Sequence, residues 1–144
     1  MPENTLECEY QPIGPGRDNW VAELVEIMAR LRGENGCPWD LEQSHETLLP
    51  YLIEEACEFI DAVEEGDDEA MTDELGDLLL QIVFHCQLAR EDSRFDLQDV
   101  ARCICEKMVR RHPHVFGDGE LATADEVLVQ WDQIKQTEGR PKPK

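Results

Sequence analysis

A chain of 144 residues suits a single domain with a real hydrophobic core, one that a partner chain could complete. Its 33 acidic residues against 13 basic ones leave a formal charge of −20, which repels a nucleic-acid backbone and argues against polynucleotide binding. Seven of the thirteen bases fall from Lys107 onward, so a small phosphorylated ligand stays compatible with this balance.

No basic, apolar-cored leader opens the sequence. Its longest uncharged apolar-rich run, residues 78–89, is too short and too polar to cross a bilayer. A cytoplasmic protein without membrane contact is expected. Its six cysteines, Cys8, Cys37, Cys57, Cys86, Cys103 and Cys105, then read as reduced thiols, with Cys57 and Cys86 as core filler.

Residues 1–18 contain Gln11-Pro12-Ile13-Gly14-Pro15-Gly16, which breaks helix and strand alike and reads as a flexible arm. From Asn19, the residues Trp20, Leu24, Ile27, Met28 and Leu31 recur at helical spacing as far as Gly33 and Gly36. Gly36-Cys37-Pro38-Trp39-Asp40 reads as a loop. Ser44 or Thr47 caps a second helix that has Pro50 in its first turn, an apolar stripe of Leu52, Ile53, Ala56, Phe59, Ile60 and Val63, and its end near Gly66. A third helix is expected over 68–90, with Gly76 inside it either tolerated or required by close backbone approach. Asp96 resembles the cap of a fourth helix, carried by Val100, Ile104, Met108 and Val109 to Arg111, before His112-Pro113-His114-Val115-Phe116-Gly117 interrupts it. A last helix starts at Thr123 or Asp125 and runs through Val127, Leu128, Trp131, Ile134 and Lys135, leaving residues 139–144 as a mobile tail. Nothing alternates with period two. The fold class is therefore all-α: four to five helices in a bundle built around an antiparallel helix hairpin, the domain spanning 19–138.

Two acidic clusters flank the hairpin's turn. Glu58 lies eight residues before Gly66 and Glu74 eight after it, while Glu55 and Asp77 lie eleven away on either side. In antiparallel helices each pair reaches one height, and the i, i+3 spacing within each cluster sets both carboxylates on one face. Four converging carboxylates raise one another's pKa unless a cation intervenes, and Mg²⁺ takes such hard oxygen ligands. Acids also simply solvate surfaces, and Glu64, Glu65, Asp67, Asp68 and Glu69 at the turn are read that way. Glu74 and Asp77 differ, because Leu75, Leu78, Leu79, Leu80, Ile82, Val83 and Phe84 around them suggest burial.

At these residues the chain resembles the MazG family of nucleoside triphosphate pyrophosphohydrolases, all-α enzymes. The resemblance covers roughly residues 19–138. It is carried by Gly36-Cys37-Pro38-Trp39-Asp40 with Gln43-Ser44-His45, by Tyr51-Leu52-Ile53-Glu54-Glu55-Ala56-Cys57-Glu58, by Asp73-Glu74-Leu75-Gly76-Asp77-Leu78-Leu79, and by Glu106-Lys107 with Arg110 to Gly117. It implies Mg²⁺-dependent hydrolysis of a nucleoside triphosphate to the monophosphate and pyrophosphate, with Mn²⁺ as a substitute ion, in nucleotide-pool control. Glu55, Glu58, Glu74 and Asp77 would bind the metal, and Lys107, Arg111, Trp131 and Lys135 would contact the nucleotide. It also implies a homodimer or higher homo-oligomer that completes the bundle. Glu54 is the candidate to position or deprotonate the attacking water, or else an acid outside the ligand set.

Bland readings stand beside these. Lys107 and Arg111 also suit a solvated helix end, and Trp131, spaced with Leu128 and Ile134, also suits a core. A non-catalytic, nucleotide-binding dimerisation module is the alternative function. A di-iron site lacks its Glu-x-x-His pairs, and a zinc site at Cys103, Cys105, His112 and His114 is disfavoured because the two cysteines point about 200° apart on a helix.

Overall fold

The computed structural model describes residues 10–139, and every regular element among them is helical. After a 3-10 turn at Gly16–Asp18 come α1 (Trp20–Leu31), α2 (Pro38–Glu42), α3 (His45–Glu65), α4 (Asp68–Glu91), α5 (Leu97–Arg111), α6 (Pro113–Phe116) and α7 (Ala124–Thr137). Five long helices and two single turns thus realise the all-α expectation. None is long and apolar enough to cross a membrane. The chain divides into two compact units, one through Leu97 and one from Gln98. Cys8 and the tail beyond residue 139 lie outside the described residues.

In the first unit α1 and α3 both pack on α4 around Met28, Leu48, Val83, Phe84 and Leu88. The α3–α4 turn is set by local chemistry. Gly66 ends α3 in the left-handed region (φ 67°), where a side chain would be strained, and the Asp67 carboxylate caps α4 by accepting from the Glu69 and Ala70 amides. At the other end of α3, Ser44 is the cap, and Thr47 is its partner in a capping box rather than a rival cap.

Three sequence readings change. The segment read as a loop after Gly36 coils at Pro38 into the short α2, because proline's fixed φ and missing N–H suit a first helical position. Pro50 lies past the first turn of α3, inside the helix, where it withdraws one intrahelical donor. Cys57 is exposed, whereas Cys86 is buried.

Two polar side chains organise this unit's edges. Glu23 on α1 is 1% exposed and accepts hydrogen bonds from the Tyr10 hydroxyl (2.5 Å) and from the amides of Ile13 (2.9 Å), Gly14 (2.6 Å) and Gly16 (3.2 Å). Burial pushes its pKa up, but these four donors more than offset that and hold it below the ordinary carboxyl value. Arg32, just past α1, forms a two-pronged ion pair with Glu91 at 2.7 and 2.8 Å and donates to the carbonyl oxygens of Asp40 and Gln43, so one guanidinium ties α1, the α2 segment and the end of α4 together.

Candidate metal centre

The hairpin brings the two acidic clusters together. Glu55 and Glu58 on α3 and Glu74 and Asp77 on α4 each offer a carboxylate oxygen, and these four atoms lie within 4.8 Å of one another. Glu58 is exposed and the other three are half-buried, so the group opens to solvent on one side. Burial first, then the charges of Asp77 and Glu58 and hydrogen bonding with them, pushes Glu55 up to about 7. Glu74 reaches about 7 as well, through burial, hydrogen bonding to Glu58, and the charges of Glu58, Asp77 and Asp73.

The donor set suits a small hard divalent cation. Oxygens in an Mg²⁺ octahedron stand about 2.9 Å apart when adjacent and about 4.1 Å when opposite, so a spread of up to 4.8 Å needs only a small contraction of the side chains. One oxygen each of Glu55 and Glu74 is buried without any hydrogen-bond partner, the condition a metal relieves. Glu54 stands apart from this group: it is exposed and about 100° around α3 from Glu55. At Gly76 an added Cβ would meet nothing within 4 Å, which favours the tolerated-glycine reading within this chain.

These pKa values set a pH dependence. Groups raised from 4.5 to about 7 favour the folded state fully below pH 4.5 and lose that contribution as pH rises through about 7, when they ionise against burial and one another. His85, lowered by burial and by His45, drifts the other way, so the informative quantity is the shift in melting temperature that Mg²⁺ produces relative to chelator. That shift is expected to be larger at pH 8 than at pH 5, because protons compete for the same oxygens. An equal shift at both pH values would show that Mg²⁺ does not bind here.

The second unit holds the other candidate residues. Lys107 and Arg111, both half-buried, sit one turn apart on α5, and Trp131 and Lys135 one turn apart on α7, with Lys135 exposed. Arg111 donates to Glu138 at 2.8 Å. The Trp131 ring meets His112 edge-on at 5.1 Å, and the Trp131 indole N–H is buried without an acceptor. Cys103 and Cys105 are both exposed, and no metal-holding group forms from them among the described residues.

A histidine pair escaped the sequence reading. His45 and His85 stack at 5.0 Å with their Nδ1 atoms 2.7 Å apart, and Arg94 donates to His45 Nε2. Since an arginine can only donate, His45 carries its proton on Nδ1 and His85 carries its own on Nε2, a buried N–H without an acceptor. Forty residues separate the two rings, and only the hairpin's return joins them.

A family model described as the MazG nucleotide pyrophosphohydrolase domain matches residues 43–116, which span the hairpin and both acidic clusters. The chain belongs to the MazG family. The crystal structure of a mazG-related protein from Thermotoga maritima superposes with a TM-score of 0.66 at 30% identity, over 80% of this chain and 98% of that one. The nucleoside triphosphate pyrophosphohydrolase/pyrophosphatase MazG of Thermotoga maritima is 52% identical over 121 residues, and the nucleoside triphosphate pyrophosphohydrolase of Escherichia coli K12 is 49% identical over 121 residues. Each alignment covers 83% of this chain and 46% of the relative, so the chain spans about half the length of these MazG relatives.

Proposed function

We propose that this protein hydrolyses nucleoside triphosphates to nucleoside monophosphate and pyrophosphate with Mg²⁺, replaceable by Mn²⁺, acting in the cytoplasm in nucleotide-pool control. The observation that carries the reading is the meeting of four carboxylates on a MazG hairpin, two of them with buried oxygens that no donor satisfies. Glu55, Glu58, Glu74 and Asp77 would hold the ion. Bound there, it would supply Lewis-acid polarisation of phosphate oxygens and acidify a water.

The remaining chemistry falls to other side chains. Glu54, exposed one position before Glu55, would orient the attacking water or take its proton. Lys107, Arg111 and Lys135 would offset charge gathering on the departing pyrophosphate, and Trp131 would contact the nucleotide. Such cations matter more in a chain of charge −20, whose overall field opposes an anionic substrate. A second copy of the chain would cover the apolar side chains that α3 and α4 leave open, among them Ile53 (66% exposed), Ile60 and Leu75.

The test is a panel of canonical and oxidised ribo- and deoxyribonucleoside triphosphates incubated with purified protein and Mg²⁺. Monophosphate and pyrophosphate are expected in equal amounts. Diphosphate and orthophosphate, or no turnover of any member, would overturn the reading.

A further inference from the structure

We propose that Glu138 is a positioning residue for the second unit's phosphate-contacting side chains, holding Arg111 ready and fixing the end of α7 against the end of α5. The inference rests on the nucleotide-contacting roles given above to Arg111, Trp131 and Lys135.

Glu138 follows the last turn of α7, where unsatisfied carbonyls make a carboxylate unwelcome. Yet its side chain is only 9% exposed, and it accepts from Arg111 Nη2 at 2.8 Å and from Arg110 Nε at 2.5 Å. These two arginines draw its pKa down to about 2, so it is ionised throughout the neutral range. Arg111 is 16% exposed and Arg110 is 50% exposed, which makes the Arg111 contact the sheltered half of the clamp.

The clamp leaves donors free. Arg111 Nε is buried and has no acceptor, and neither has Trp131 Nε1. Both belong to one junction. Glu138 follows Trp131 by seven residues, two turns along the same face of α7, and His112, next to Arg111, contacts the Trp131 ring. Glu138 thus grips the guanidinium while Nε still needs an anionic oxygen, the kind a phosphate supplies. An arginine already ordered by a carboxylate loses less side-chain freedom when its ligand arrives. Because the same carboxylate belongs to the end of α7, it also sets Trp131 and Lys135 in register with Lys107 and Arg111. Its own negative charge keeps it off the phosphates.

The experiment compares Glu138→Gln, Glu138→Asp, Arg111→Ala and the Arg111→Ala/Glu138→Gln double variant in the full chain. Steady-state turnover and binding of Mg²⁺-pyrophosphate are both measured. Glu138→Gln should raise the pyrophosphate Kd about tenfold and cut kcat/KM about tenfold, with kcat carrying part of the loss because Arg111 meets charge that grows in the transition state. Glu138→Asp should recover much of that loss, and the double variant should be no worse than Arg111→Ala. Unchanged helical circular dichroism and an unchanged Mg²⁺-induced melting shift would separate positioning from damage to the fold. A Glu138→Gln variant that binds and turns over like wild type, or effects that multiply independently in the double variant, would overturn the inference while leaving the proposed activity standing. A wild-type chain that binds pyrophosphate without hydrolysing nucleotides would refute the activity, and the same Kd comparison would still decide Glu138. Absence of both turnover and binding would defeat the two together.

Discussion

Glu58→Gln and Asp77→Asn are each expected to cut pyrophosphate release by about 10³-fold or more while making the metal-free protein more heat-stable near pH 8. The two effects share one cause. Four carboxylate oxygens within 4.8 Å repel one another, and burial adds to the cost for Glu55 and Glu74. An amide of the same shape removes one charge and gives its neighbours a donor, so the hairpin is relieved. A hard cation loses an anionic ligand by the same exchange, and with it several kcal/mol of transition-state stabilisation, on the order of the loss stated. Residues serving only as a solvated surface would alter neither property. Variants that turn over like wild type would remove Glu58 and Asp77 from the ligand set even in an active enzyme.

Arg32→Ala should lower the stability of the first unit by about 3 kcal/mol, read as a melting midpoint roughly 12–24 °C lower for a unit of that size. The Arg32 side chain is 9% exposed, and its guanidinium lies 5.9 Å from the centre of the Phe84 ring in the core. Truncation strands the Glu91 carboxylate with Gln87 alone and leaves the Asp40 and Gln43 carbonyls without this donor. Arg32→Lys should rescue little, because an ammonium cannot span a carboxylate and two carbonyls in different directions. The check is thermal or urea denaturation followed by helical circular dichroism. A midpoint within 2 °C of wild type would mean the clasp contributes nothing net.

The hairpin was legible because its information is local. Gly66 and Asp67 announce the turn, Ser44 the start of α3, and equal counting from Gly66 pairs Glu58 with Glu74 and Glu55 with Asp77. Partnerships between distant residues were not legible. Arg32 and Glu91 are 59 residues apart, and nothing in either neighbourhood marks the other. Nothing around Glu23 in the sequence marks it as the acceptor for the amides of Ile13, Gly14 and Gly16, seven to ten residues earlier. Leu75 suggested burial by its neighbours, yet it is half exposed, because a period of 3.6 does not say how much of a face another chain or element will cover.

Glu23 has a kinetic consequence. Three amides and a phenol lean on one carboxylate, so none can be released by a movement of that acid without releasing the rest. Residues 10–16 should therefore unlatch as one cooperative patch, and the amide protons of Ile13, Gly14 and Gly16 should trade with deuterium at rates governed by a single shared opening event.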